Sequence, residues 1–230
     1  MKVVILCGGL GSRLAEETKL IPKPMVKIGS KPIIDHIINI YKKHGFNDFI
    51  LATGYKNKIL EKYFSNRKNI DCIYTGKNTL TGGRLLRLKK YFKKDENFLL
   101  TYADGLTNQN LRKIVRFHLK HKRIATLTSV KPPARFGELK IIGNRVKSFK
   151  EKPQLQNNWI NGGYFIFNSK IFNFISGDNE MLEREPFQKL TRSKNLMAYK
   201  HYGFWQCMDT KRDHDFLEEN WKSGKPSWIT

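Results

Sequence analysis

A chain of 230 residues with 40% hydrophobic and 12% aromatic content is long enough to bury a substantial core, which excludes wholesale disorder. It contains no apolar run of bilayer length and no charged-then-apolar leader before its first strand, so it reads as a soluble, cytoplasmic protein without a membrane partner. The formal charge of +23 attracts polyanions, yet the basic residues are spread along the chain with no arginine-rich tail, which favours solvated faces, with nucleic acid and the steering of small anions as the other uses.

From the start, short β-rich apolar runs alternate with amphipathic stretches. The segment "KVVILC" predicts a strand, and "KPIIDHIINIYKKHG" a helix stopped at Gly45. Next come strand "DFILATG", helix "NKILEKYF", strand "IDCIYTG", helix "RLLRLKKYF", strand "NFLLTY", helix "QNLRKIVRFHLKHK" and strand "IATLTSV". That alternation predicts an α/β domain with a largely parallel sheet and right-handed crossovers. Beyond it, "GELKII" and "RVKSFKE" flank Gly143-Asn144 as a hairpin. Strand "GGYFIFN", helix "EREPFQKLTR", strands "NLMAYKHYG" and "FWQCM", and helix "KRDHDFLEENWKSG" complete the chain. With no repeat, linker or step in composition, residues 1–230 read as one domain, 1–130 forming one half and 131–230 the other.

Cys7, Cys72 and Cys207 are odd in number and form no CxxC pair, the pattern of reduced thiols rather than a zinc site or disulfide framework. His118 and His121 are three apart on a predicted helix without an acidic or thiolate partner, and read as solvated, cationic helix-end residues.

Three polar clusters fall at predicted strand ends, where ligands sit in open α/β sheets. The first is the loop Gly8-Gly9-Leu10-Gly11-Ser12-Arg13. Its glycines let consecutive N–H groups approach phosphate closely, although GGxGxR matches neither the dinucleotide nor the P-loop fingerprint and no helix-forming stretch follows at once. Nearby, Lys23 is flanked by Pro22 and Pro24, which deliver its ammonium on a stiff segment. Arg13 and Lys23 together suit a triphosphate or a departing pyrophosphate. The second cluster is "LLTYADGL", ending at Asp104, and the third is "FWQCMDTKRD", with Asp209. Each aspartate alone reads equally as a turn residue or a helix cap. Facing a phosphate loop together, they could share one Mg²⁺.

The stretch "GGLGSRL…IPKPMVKIGSKPI" resembles the signature of the sugar-nucleotide pyrophosphorylases, nucleotidyltransferases that join a nucleoside triphosphate to a sugar 1-phosphate. "TGGRL", "FLLTYADG", "RFGEL", "SFKEKP", "INGGYFIFN", "EREP", "GFWQCMDTKRD" and "WKSGKPSW" are similar, in order, to the branch that joins CTP to glucose 1-phosphate, making CDP-glucose for deoxysugars of bacterial surface polysaccharides. The resemblance implies a Rossmann-like, three-layer fold with a mixed, mostly parallel sheet and a β-rich, sugar-binding second half. Its implied partners are CTP and a sugar 1-phosphate, with Mg²⁺ as cofactor, no nucleic acid and a possible homo-oligomer. Leu6, Gly8, Gly9 and Gly11 would line the nucleotide, Ser12 and Arg13 would hold its triphosphate, and Thr81, Gly82 and Arg84 would lie near it. Lys23 would stabilise the leaving pyrophosphate, while Asp104 and Asp209 would bind Mg²⁺. Lys152 would grip the sugar phosphate. Glu151, Asn161, Gly162 and Gly163 would face the sugar hydroxyls, and Arg135 and Gly137 would border that side. Phe204 and Trp205 read as core packing rather than base stacking. Two departures stand out. Ala103 replaces the glycine usual before the aspartate, placing a methyl group beside the metal, and "KNTL" replaces a longer excursion before "TGGR". Another base or sugar, or a catalytically silent nucleic-acid-binding relative, are the competing readings.

Overall fold

Five consecutive apolar residues leave a strand no polar face, so it needs cover on both sides. In the computed structural model, which describes residues 1–132, 138–150 and 158–229 (without the side chains at positions 13, 15, 16, 138 and 150), that strand is β1 (Val3–Cys7), buried throughout. Helix α1 (Ala15–Thr18) and the two-residue strands β2 (Lys27–Ile28) and β3 (Lys31–Pro32) precede α2 (Ile33–Lys43). Then follow β4 (Phe49–Thr53), α3 (Asn57–Phe64), β5 (Ile70–Tyr74), α4 (Thr81–Leu86), β6 (Asn97–Tyr102), β7 (Gly105–Thr107), α5 (Leu111–His121) and β8 (Ala125–Val130). The second half contributes β9 (Glu138–Ile142), β10 (Arg145–Lys150), β11 (Ile160–Asn168), α6 (Glu185–Arg192), β12 (Leu196–His201), β13 (Trp205–Cys207) and α7 (Lys211–Lys222).

Seven strands form the central sheet in the order β12-β8-β11-β6-β1-β4-β5. Only β11 runs antiparallel to its neighbours, so the sheet is mixed and mostly parallel. Side-chain alternation along β1 divides the interior into two cores. Val3, Ile5 and Cys7 pack with residues of α2, α3, α5 and α7, among them Ile37, Phe64, Ile114 and Leu217. Val4 and Leu6 pack on the other face with Leu85 of α4 and Phe187 and Leu190 of α6. Strand order reverses beside β1, with β4 and β5 on one flank and β6 on the other. The carboxyl ends of β1, β4 and β6 therefore frame the crevice where such sheets bind ligands. The expected hairpin is present as the separate ribbon β9–β10, and Gly45 ends α2 with φ +86°.

Two expectations are corrected. The helix expected over "RLLRLKKYF" begins earlier, at Thr81, and only a 3₁₀ turn (Lys89–Tyr91) covers its end. Paired glycines disfavour a helix by propensity, but Leu80 N–H donates to Asp178 O (3.0 Å) and Gly82 N–H to Glu180 O (2.9 Å), so main chain from the second half satisfies the helix start. His118 is not a solvated cation. It is 2% exposed, with Nδ1 2.8 Å from Thr126 Oγ and Nε2 3.3 Å from Asn97 Oδ1. Burial, with His121 beside it, pushes its pKa from the usual 6.5 to about 4.

The unfolded chain thus takes up this proton near pH 6.5, whereas the folded one resists it until about pH 4. The stability contributed by neutral His118 is complete above that window and lost progressively as pH falls through it. Melting curves between pH 7 and 4 are expected to show a falling midpoint, with a shallower fall in His118→Gln. An identical acid slope in that variant contradicts the assignment.

Candidate active site

Lys23 opens a 3₁₀ turn (Lys23–Met25) between two prolines, and Pro22 is extended at φ −70°, ψ 148°. Met25 N–H donates to Pro22 O (2.8 Å) and Val26 N–H to Lys23 O (3.1 Å), which fixes the turn. The lysine ammonium then donates to Asp104 Oδ2 and to Asp209 Oδ1, both at 2.7 Å. Burial alone would lower its pKa, but the two carboxylates outweigh that and raise it, Asp104 contributing first.

The aspartates meet for a local reason. Strand β6 delivers Asp104 at its end, just before β7, and β13 pairs antiparallel with β7, Cys207 opposite Gly105. Met208 N–H donates to Asp104 O (2.8 Å), so Asp209 emerges beside it. The N-cap of α7 is Thr210, in a capping box with Asp213, so Asp209 is not the helix cap. Ala103 is 6% exposed and belongs to the core on the α2 face. Its methyl group therefore packs inward instead of beside the carboxylates.

Two convergent carboxylates already gathered around one cation fit a hard divalent ion such as magnesium, which draws its remaining ligands from phosphate oxygens and water. Among the described residues no three His, Cys, Asp or Glu side chains cluster as a self-sufficient metal site. Any cation held here would thus depend on the substrate to complete its shell.

The glycine loop follows β1. Gly11 has φ +68°, and its carbonyl accepts from Thr18 Oγ at 3.0 Å. A 3₁₀ turn at Ser12–Leu14 and then α1 follow directly, which corrects the expectation that no helical stretch comes next. Gly9 and Ser12 are exposed, while Leu6 is 8% exposed in the second core. Beneath the loop lies Arg84, 4% exposed. Its Nη2 donates to Gly8 O (2.8 Å) and Lys77 O (3.2 Å), and its Nη1 to Gly76 O (2.6 Å), Thr53 O (3.2 Å) and Thr75 Oγ (3.0 Å). One guanidinium therefore clamps the ends of β1, β4 and β5. A side chain at position 8 would place Cβ 2.0 Å from Nη1, so glycine there is required by close approach. Burial lowers the Arg84 pKa, yet arginine stays cationic. Thr81 and Gly82 likewise turn their hydroxyl and N–H to the segment after β11, at Glu183 and Glu180.

A cavity of about 940 Å³ opens beside the aspartates, lined by Asp104, Asp209, Asn161, Gly162, Trp205 and Lys131 among others. Asn161, Gly162 and Gly163 lie within β11, at a register shift against β8, and the strand bulges there rather than turning. Asn161 Oδ1 accepts from Gly163 N–H (2.9 Å), and Trp205 Nε1 donates to Gly162 O (2.7 Å). Trp205 and Phe204 both pack against the α2-side core and line the cavity. Burial, reinforced by Asp104 and Asp209, pushes the Cys207 thiol up to about 12, and burial also raises Cys7, so neither is a ready nucleophile. Arg135, Gly137, Glu151 and Lys152 lie outside the described residues, as does the side chain of Arg13. Lys131 and Tyr102 also line the cavity; sequence reasoning gave neither a role, and neither carries a spacing signal.

Residues 2–220 match the family model described as nucleotidyl transferase. A glucose-1-phosphate cytidylyltransferase of Salmonella typhimurium is 43% identical over 255 aligned positions, covering 100% of this chain and 99% of that one. A probable glucose-1-phosphate cytidylyltransferase of Bacillus subtilis is 38% identical, covering 99% of both. The solved structure of a UDP-glucose pyrophosphorylase complexed with UDP-glucose superposes with a TM-score of 0.76 at 18% identity, covering 97% of this chain and 99% of that one, which establishes the fold. Among the described residues no helix is long and apolar enough to cross a membrane.

Replacing Arg84 with methionine strands several buried carbonyls and should cost about 3 kcal/mol of folding stability. Urea unfolding measures it, and a loss below about 0.5 kcal/mol would show that the clamp is idle.

Proposed function

This chain belongs to the nucleotidyl transferase family, and from that premise we propose that it transfers the cytidylyl group of CTP to glucose 1-phosphate, forming CDP-glucose and pyrophosphate. The observation that carries the reaction class is the convergence of Lys23, Asp104 and Asp209 at the mouth of the glycine loop. The base and the sugar rest on the cytidylyltransferases that match the chain end to end.

An oxygen of the sugar 1-phosphate attacks the α-phosphorus of CTP in line, a P–O bond forms, and the bond to the β-phosphate oxygen breaks. No protein nucleophile is needed, in keeping with the raised thiol pKa values. Both reactants are polyanions, so the catalytic work is neutralisation and alignment. Main-chain groups at Gly8, Gly9, Gly11 and Ser12, with Arg13, cradle the triphosphate. Lys23 meets the charge that develops on the departing pyrophosphate. Asp104 and Asp209 would hold Mg²⁺, which when bound would supply Lewis-acid stabilisation of phosphate charge. Asn161, Gly162 and Gly163 face the sugar, and sequence resemblance alone assigns Arg135, Gly137, Glu151 and Lys152 to sugar-phosphate binding. Residues 1–130 thus serve the nucleotide and 131–230 the sugar phosphate, and the net charge of +23 draws both in.

Pyrophosphate release is measured with CTP, UTP, ATP, GTP and dTTP, each against a panel of sugar 1-phosphates. Fastest release with CTP and glucose 1-phosphate is expected. Preference for another pair would move the base or sugar assignment, and no release with any pair, together with salt-sensitive DNA or RNA binding, would contradict the enzyme. On the active pair, Lys23→Ala and Asp104→Ala should each lower kcat by about 100-fold or more with the circular dichroism spectrum unchanged. Near-wild-type turnover in either would remove these residues from the site.

A further inference from the structure

The two sides of the crevice are joined by one side chain that the chemistry above does not use. Tyr102 ends β6, two residues before Asp104. Its ring lies so close to Gly163 that a Cβ there would come within 2.6 Å of Cδ2, and Gly163 sits at φ +74°. The phenol hydroxyl donates to Glu183 Oε1. Burial, and then the Glu183 charge, raise its pKa, so it remains a permanent donor. The second carboxylate oxygen, Oε2, accepts from Thr81 Oγ at 2.7 Å, and Thr81 Oγ accepts in turn from Leu182 N–H at 2.9 Å.

Thr81 is the first residue of α4, the helix that carries Arg84 and its bond to Gly8 O. The segment before Glu183 is laced to the same helix by Asp178 and Glu180 carbonyls and by the Arg87–Asp178 ion pair. A continuous path therefore runs from Asp104 through Tyr102, Glu183, Thr81 and Arg84 to the glycine loop. Its centre needs an acceptor on both sides, since both neighbours are hydroxyl donors. A carboxylate supplies that, whereas an amide offers one oxygen and turns an NH₂ group on the other partner.

We propose that Glu183 is a positioning residue that fixes the strand end bearing Asp104 against the helix supporting the glycine loop, so that the aspartate and the loop hold one relative geometry. The proposal rests on the nucleotidyl-transfer reading for its kinetic consequence, but its structural half stands apart from turnover.

The test is a double-mutant cycle of Glu183→Gln and Tyr102→Phe, with kcat and both KM values measured on the active substrate pair. Each single variant should lose about tenfold in kcat with KM within about threefold, and the double variant should be no worse than the poorer single. Losses that multiply, a kcat in Glu183→Gln within about twofold of wild type, or a KM rise that tracks a fall in melting temperature would overturn it. Hydrogen exchange separates this from the functional assignment. In Glu183→Gln, amides at 103–105 and at 8–11 should both exchange about tenfold faster while other sheet ends do not change. Faster exchange at one end alone, or at neither, overturns the coupling even if no substrate pair is turned over.

Discussion

One ammonium held between two carboxylates is the constraint on which the site depends. Lys23 lies 81 positions from Asp104 and 186 from Asp209, yet donates to both at 2.7 Å. Two like charges so close to one point repel each other unless a cation stands between them. The chain spends much structure to keep them there: two prolines around Lys23, the β7–β13 ribbon beneath the aspartates, and a capping box that engages Thr210 and Asp213 with each other. Lys23 and the two aspartates sum to one negative charge, so only with a divalent cation added would the group turn net positive and suit a polyanionic substrate.

A second cation, this one buried, does the corresponding work beneath the glycine loop. Arg84 answers main-chain carbonyls, so its charge meets partial charges spread over three strand ends rather than a single opposite ion. This explains the glycines at Gly8 and Gly54, where a side chain would collide with the Arg84 guanidinium, whereas at Gly76 it would meet Thr79 Oγ and the Arg87 guanidinium. Loop geometry is thereby set from below, leaving Gly9 and Ser12 open to solvent.

Much of this was legible in the residues themselves. Apolar runs ending in glycine or aspartate marked β1 and β6 and the polar clusters at their ends, and prolines on both sides marked Lys23. Reading failed where three-dimensional partners override local preference. The helix at Thr81–Leu86 begins with Gly82 and Gly83 because main chain from 178–180 docks on it, which no local propensity reports. His118 was readable in principle, since it continues the buried stripe of Leu111 and Ile114 on α5, but its neighbouring lysines suggested a wet face. Tyr102 and Glu183 fall inside "FLLTYADG" and "EREP", but no local spacing pairs them, because their contact joins positions 81 apart.

The central claim is that Asp104 and Asp209 share one cation completed by nucleotide phosphate. Its most direct measurement is Mn²⁺ binding by the protein with and without CTP, in wild type and in the single variants Asp104→Asn and Asp209→Asn. The account predicts one CTP-dependent Mn²⁺ site per chain, lost in either variant. Undiminished CTP-dependent binding in either variant would contradict it.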